Sequence, residues 1–132
     1  MNKWQNFWRL WNMRLENERF LIVKKTKRFL MELERIISSF PNRDHVAKNR
    51  IVEDGFVLLE NIYMMNSMKE DSDLRIYQLQ ILTKINMLDF YLERAFKLRY
   101  ISEERCLSLC NSLTEINKMV VAWMLNRDHG KI

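Results

Sequence analysis

The chain has 132 residues, the size of one domain, with 22 basic against 17 acidic side chains and a formal net charge of +5. Only 2 glycines and 1 proline occur, so turn formers are scarce and we expect long helices rather than a sheet of short strands. With 48% hydrophobic and 30% charged residues, the composition is typical of amphipathic helices and excludes a disordered chain.

Signals for secretion or membrane insertion are missing from the sequence. No stretch approaches the ~18 uncharged apolar residues that a membrane-spanning helix needs. The N-terminus has no apolar region followed by a small-residue cleavage site, so we expect no secretory signal. Two cysteines do not make a disulfide framework. We therefore expect a cytoplasmic protein with no membrane partner.

An aromatic stripe marks the N-terminus. Its members recur at the i, i+3, i+4 and i+7 spacing of one helix face, with basic residues around them. Three interpretations are open: an N-terminal extension of the first helix that packs within the protein or its oligomer, docking of a partner, and binding at a membrane surface. The stripe is short for a membrane helix, which makes that interpretation the least expected. The partner-docking candidates are Trp4, Phe7, Trp8 and Trp11.

Helix-breaking and capping residues divide the rest of the chain. Pro41 cannot continue a helix, so the first helix should end near Ser39. Ser102 is a good N-cap for a helix that opens with two glutamates, whose charge suits the helix dipole. The sequence thus predicts helices over about residues 15–39, 43–68, 73–99 and 102–126.

Each predicted helix carries an apolar stripe at helical spacing, such as Ile22, Phe29 and Leu33 in the first. Four such faces joined by short connections predict an all-α, antiparallel up-down-up-down four-helix bundle. We assign residues 1–14 to an aromatic and basic extension, 15–127 to the bundle and 128–132 to a polar tail.

Positive charge is concentrated in the first helix. Residues 1–40 hold 9 basic and 4 acidic side chains, a balance of 9 − 4 = +5 that equals the charge of the whole chain. Lys24, Arg28 and Arg35 lie opposite the Phe29 stripe on a helical wheel, so they should point outward together. Such a row can follow phosphates, although a solvated helix face is the alternative. The nucleic-acid-binding candidates are Lys24, Lys25, Lys27, Arg28 and Arg35.

The second and third helices carry more apolar side chains than one buried face needs. A band wider than about 100° suggests burial on a second side. We favour a subunit interface over a wide core with a few exposed aromatics. The extra apolar residues are Val52, Phe56, Leu59 and Tyr63 in the second helix, and Phe90, Tyr91 and Phe96 in the third.

Residue patterns for catalysis are weak. Cys106 and Cys110 share a helix face, but no second pair of ligands accompanies them, so buried thiols are far more expected than a zinc site. His45 and His129 stand apart from any acid–base constellation. No glycine-rich phosphate loop is present. We expect no catalytic residue, no metal and no cofactor, and therefore no enzyme.

From about Leu15 to Arg127 the chain resembles the accessory variability determinant (Avd) proteins of diversity-generating retroelements. The features that carry the resemblance are the Phe40-Pro41 turn after a basic helix, the segment 95–102 (AFKLRYIS), and the segment 115–119 (EINKM) ahead of Trp123. Val120 and Val121 replace a glycine pair that is often seen before this tryptophan. The aromatic N-terminus lies outside the resemblance.

A related branch of four-helix proteins is encoded by intervening sequences of bacterial ribosomal RNA genes. Those proteins usually carry a Ser-Ile-x-x-Asn-Ile-Ala-Glu-Gly stretch in the second helix. Here residues 50–56 read RIVEDGF, which lacks that stretch and favours the retroelement branch.

The resemblance implies a partner protein without enzymatic activity. Avd proteins form a basic, barrel-like homopentamer that associates with the reverse transcriptase of the element and with its template RNA. They support synthesis of the mutagenised cDNA. We expect this function here, with contact to the cDNA as well as to the template RNA. The alternative is a helical scaffold, or a ribosomal RNA intervening-sequence protein, that acts only through protein or ribosome contacts.

Overall fold

A computed structural model describes residues 2–67 and 74–129, with the side chains at positions 11, 12, 14–18 and 126–129 outside the description. These residues form helices α1 (Lys3–Ile37), α2 (His45–Ser67), α3 (Leu74–Lys97) and α4 (Glu103–His129). One 3-10 turn, Asn42–Asp44, precedes α2. Within the described ranges no strand occurs, so the predicted all-α class is confirmed.

The described helices form a compact bundle around one apolar core. α1 packs against α2 and α4, and α3 packs against the same two helices. Removing an aliphatic or phenyl side chain from water stabilises a fold by roughly 1.5–3 kcal/mol. Each predicted stripe supplies several such side chains to the core. Among the most deeply buried side chains are Ile22, Phe29, Leu33, Ile51, Leu58, Ile62, Ile81, Leu88, Leu92, Leu113, Ile116 and Val120.

α1 begins much earlier than the sequence pattern predicts. It starts at Lys3, so the predicted start near residue 15 is wrong. The physical reason is a capping box at Asn2: its Oδ1 accepts from the Gln5 amide at 3.0 Å, and Gln5 Oε1 accepts from the Asn2 amide at 3.4 Å. The aromatic stripe is therefore part of a continuous helix. α4 also differs from its predicted bounds, since it stays helical to His129, past the predicted end near residue 126.

Gly55 lets α1 and α2 approach closely. A Cβ at this position would lie 2.6 Å from Leu30 Cδ2 and 3.4 Å from Leu33 Cδ2, both on α1. A side chain here would force the end of the Leu30 side chain to shift. The glycine that weakens α2 as an isolated helix thus serves the packing of the bundle.

The two connections that follow α1 and α3 are joined to each other. Phe40 is buried, and its ring lies 5.0 Å from that of Tyr100. Asp44 Oδ2 accepts hydrogen bonds from Arg94 Nη1 and from the Tyr100 hydroxyl, each at 2.9 Å. Ser39 donates to the Tyr100 carbonyl at 3.1 Å. These contacts hold the start of α2 against the end of α3.

Replacing Asp44 with asparagine should lower the free energy of unfolding by about 1–2 kcal/mol, because the two hydrogen bonds lose their ionised acceptor. The bonds from Arg94 and Tyr100 hold the pKa of Asp44 below its ordinary value of 3.8. The stabilisation is therefore complete above that value and is lost as pH falls through the lowered folded-state pKa. Urea unfolding at neutral and acidic pH measures both effects. The control is Glu60→Gln, a substitution at an exposed position on α2. An equal loss of unfolding free energy in both variants would contradict a stabilising role for the hydrogen bonds to Asp44.

Candidate nucleic-acid interface

The outward row predicted on α1 is exposed. Lys24, Arg28 and Arg35 have exposed side chains, while Phe29 and Leu33 on the opposite face are buried. Continuous helix over Lys3–Ile37 places the three residues along one line of its surface. A line of cations is suited to the regularly spaced phosphates of a nucleic acid.

The other two candidates, Lys25 and Lys27, turn to opposite flanks of α1. Lys25 Nζ lies 2.6 Å from Glu115 Oε2 on α4. Lys27 Nζ lies 5.8 Å from the ring centroid of Tyr63 on α2, a cation–π contact. The five candidates therefore form a central row with one lysine toward each neighbouring helix, and not a single line.

A groove of about 350 Å³ runs between α1 and α4 beside this row. Its floor is apolar and its walls are polar. The walls hold four basic and two acidic side chains together with two serines. The lining residues are Lys25, Arg28, Phe29, Glu32, Arg35 and Ile36 of α1, and Arg105, Ser108, Leu109, Ser112 and Glu115 of α4.

The α4 wall of the groove was not predicted from the sequence. Arg105, Ser108, Ser112 and Glu115 are far from α1 along the chain, and only the packing of α4 against α1 brings them to it. Their i, i+3, i+7 and i+10 spacing is a signal that could have found them, because it places polar side chains along one flank of a helix.

Ion pairs occupy part of the groove. Arg35 Nη1 lies 3.3 Å from Glu32 Oε1 within α1. The Lys25 ammonium holds the pKa of the Glu115 carboxyl below its ordinary range, so Glu115 is ionised at neutral pH. Arg28 and Arg105 have no ion-pair partner in the part of the chain that the structure describes.

The chemistry of the groove suits phosphate oxygens. Guanidinium groups present a planar fork of donors that matches phosphate, and serine hydroxyls add neutral donors. The aromatic residue in the lining, Phe29, is buried and so presents no exposed ring for base stacking. Contacts of this kind fix a nucleic acid through its backbone and carry no sequence information.

The aromatic N-terminus lies on the same face of α1 as the core stripe. Trp4 and Ile22 are 22 − 4 = 18 residues apart, about five turns of α-helix. Ile22 is buried, whereas Trp4, Phe7 and Trp8 are 71%, 54% and 60% exposed. The Trp11 side chain lies outside the described residues. Packing against the described helices of its own chain therefore leaves most of this aromatic surface uncovered.

The second apolar surface lies on α2 and α3. Phe56, Tyr63, Phe90 and Phe96 are exposed as the wide apolar band predicts, while Leu59 and Tyr91 are half-buried. Exposed Ile76 and Leu79, at the start of α3, belong to the same kind of surface and were not singled out from the sequence. Exposed aromatic and aliphatic groups in this number are typical of a protein interface.

The lining of the groove contains no described cysteine or histidine. Cys106 is buried. Burial, and to a smaller extent a hydrogen bond with Asp89, raises the pKa of the Cys110 thiol to about 12. The His45 side chain is exposed, and that of His129 lies outside the described residues. No group of three or more His, Cys, Asp or Glu side chains suited to a metal occurs in the described part of the chain. None of its described helices is long and apolar enough to cross a membrane.

A protein of unknown function from the S23 ribosomal protein family of Bacteroides thetaiotaomicron has a similar crystal structure. The TM-score is 0.71, and the match covers 80% of this chain and 96% of that chain. The two sequences are 21% identical, so the likeness shows the fold alone. No protein-family model and no curated protein matches the sequence. The chain shares the helical-bundle fold of that S23-family protein, and its resemblance to Avd proteins stays a prediction.

Proposed function

We propose that this chain is a non-enzymatic accessory protein of a diversity-generating retroelement, which binds the template RNA, its cDNA and the reverse transcriptase in the cytoplasm. The observation that carries the proposal is the exposed row of Lys24, Arg28 and Arg35 along the α1–α4 groove, to which α4 adds Arg105; among the described residues neither Arg28 nor Arg105 has an ion-pair partner. Charge of this kind attracts nucleic acid through the release of counterions. The resemblance to Avd proteins is the reason for proposing a diversity-generating retroelement.

The proposal includes a four-helix, antiparallel up-down-up-down arrangement and a ring-shaped homo-oligomer, a pentamer by the resemblance. Short connections between α1 and α2 and between α3 and α4 favour antiparallel neighbours. Exposed Phe56, Leu79 and Phe90 on α2 and α3 supply an apolar surface for subunit contact. In a ring the basic row would recur in every subunit, so that weak contacts sum along one RNA.

The aromatic N-terminus is proposed as the docking site for the reverse transcriptase. Exposed Trp4 and Trp8 repeat at i, i+4, the spacing of a helix that lies in a groove of its partner. Tryptophans are among the residues that dominate binding energy at interfaces. The site would be spatially separate from the groove, whose α1 residues begin at Lys25.

A second candidate function rests on the structural neighbour. That protein belongs to the S23 ribosomal protein family, so a ribosome-associated scaffold or an intervening-sequence protein is the alternative. It predicts contacts with protein or ribosome and no role for a reverse transcriptase.

The test combines light scattering with two forms of the protein, the full chain and a variant that lacks residues 2–11. Alone, the full chain should have several times its chain mass of 16.2 kDa. Single-stranded RNA and the reverse transcriptase encoded beside the gene should each add mass. The deletion should weaken the complex with the polymerase and leave the RNA complex intact, because the groove lies elsewhere on the chain.

Three results would contradict parts of the proposal. A monomer would remove the ring, and failure of RNA to add mass at low salt would remove nucleic-acid binding. If the deletion disperses the oligomer or lowers helical content per residue, the aromatic segment is structural and not a docking site. Binding to ribosomes without binding to the polymerase would favour the second candidate function.

A further inference from the structure

We propose that Glu115 is an internal counter-ion of the α1–α4 groove, which a phosphate group of bound nucleic acid displaces from Lys25. The inference rests on the proposed function, in that the phosphate comes from an RNA or DNA backbone. Arg28 and Arg105 make the first contacts with the phosphates, and Lys25 joins them once it is released from Glu115.

The Lys25–Glu115 pair joins the two walls of the groove. Lys25 belongs to α1 and Glu115 to α4, and their charged atoms lie 2.6 Å apart. Both residues line the groove that contains Arg28 and Arg105. A ligand that enters between the helices therefore meets this pair directly, along with two arginines that have no ion-pair partner among the described residues.

The exposure of this pair makes it displaceable. The side chains of Lys25 and Glu115 are 41% and 60% exposed, and exposed pairs contribute little to folding because water screens them. Among the described residues a second lysine pair, Lys84–Asp54, also joins two helices, but its carboxylate is only 2% exposed and cannot turn into water. Glu115 can leave Lys25 and still be solvated.

Phosphate is the anion that fits this exchange. An arriving phosphate brings charge that Arg28 and Arg105 attract, and their guanidinium forks can each bind two of its oxygens. The hydroxyls of Ser108 and Ser112 lie in the same wall, and that of Ser112, which donates to the Ser108 carbonyl at 3.2 Å, would exchange this bond for one to phosphate. A nucleic acid presents such groups in series, so the one that replaces Glu115 is held by the contacts of its neighbours.

Removing the internal counter-ion should tighten binding. Glu115→Gln should bind oligouridine about 5-fold more tightly than the wild type at 0.1 M salt, because phosphate no longer has to displace Glu115 from Lys25 and breaking an exposed ion pair costs up to about this factor. Glu60→Gln, the same change of charge on the exposed side of α2, should gain less than about 2-fold because it acts through net charge alone. Arg105→Gln should weaken binding about 5-fold. Fluorescence anisotropy measures all three affinities.

Two further measurements test whether the gain in affinity depends on Lys25 and on phosphate. In a Lys25→Gln background, Glu115→Gln should give no gain beyond that of Glu60→Gln. Inorganic tripolyphosphate, measured by calorimetry, should bind Glu115→Gln more tightly than the wild type. Circular dichroism of each variant checks that helical content is unchanged.

The outcomes separate this inference from the proposed function. If RNA binds but Glu115→Gln and Glu60→Gln gain equally, the counter-ion role is wrong and nucleic-acid binding stands. If tripolyphosphate binding responds to Glu115 while RNA does not bind the wild type, the groove takes free polyphosphates and the proposed function is wrong. If neither ligand responds to Glu115 or Arg105, the groove is an ordinary solvated surface.

Discussion

Replacing Lys24, Arg28 and Arg35 with glutamine should lower the affinity for single-stranded RNA about 100-fold at 0.1 M salt. Each phosphate contact to a single strand adds about 0.7 to the slope of log affinity against log salt, which is about 5-fold at 0.1 M relative to 1 M salt. Three lost contacts therefore multiply to about 100-fold, and the slope should fall by about 2 units. Because the three side chains are exposed, the stability of the fold should change by less than about 1 kcal/mol. Anisotropy titrations over a salt series measure both quantities.

The matched control is a triple substitution of Arg43, Arg75 and Lys97 with glutamine, which removes the same charge from exposed positions away from α1. Lys97 pairs with Glu93 on its own helix, as Arg35 pairs with Glu32. The control should lose less than about 5-fold through the change in net charge. Equal losses would show that RNA is attracted by charge in general, and unchanged affinity in the α1 variant would leave its row as a solvated helix face.

The helices were predictable because a helix is a local structure with a period that can be counted. The core stripes of α2 and α3 follow the predicted spacing, and Ser102 caps α4 through its hydroxyl, which accepts from the Arg105 amide at 3.2 Å. The start of α1 was missed because the predicted start was placed where the core-facing stripe begins. The helix instead begins at the capping box of Asn2, ahead of that stripe. Exposed Trp4, Phe7 and Trp8 belong to the part of α1 that the described helices of its own chain leave uncovered.

The site was predictable only in the part that lies on one helix. Lys24, Arg28 and Arg35 are close in sequence, so their shared face follows from helix geometry. The pairing of Lys25 with Glu115 joins residues 90 positions apart and depends on which flank of α4 meets α1. That choice is made by packing of side chains throughout the core, which no single stripe specifies. The same limit applies between α2 and α3, where the pairing of Asp54 with Lys84 also depends on how the two helices pack.

Replacing Lys84 with methionine should lower the free energy of unfolding by about 3 kcal/mol, because it leaves the Asp54 carboxylate in the protein without its partner. Asp54 is 2% exposed, and its Oδ1 lies 3.0 Å from Lys84 Nζ. Its second oxygen, Oδ2, is buried with no hydrogen-bond partner among the described residues. The charge of nearby Arg50 acts on Asp54 as well, so the loss should fall at the low end of the range for a broken buried pair. Urea unfolding measures the loss.

The double variant Asp54→Leu with Lys84→Met separates the cost of a buried charge from the worth of the pair. It should recover most of the stability that Lys84→Met loses, because an apolar pair of similar size packs against the core without a desolvation penalty. Recovery would mean that the pair adds no net stability, and we then expect its role to be the alignment of α2 on α3. That alignment sets where exposed Phe56 and Phe90 stand on the proposed subunit surface. The recovered double variant should then show a changed oligomer mass by light scattering, while a double variant as unstable as Lys84→Met would show that the pair itself stabilises the fold.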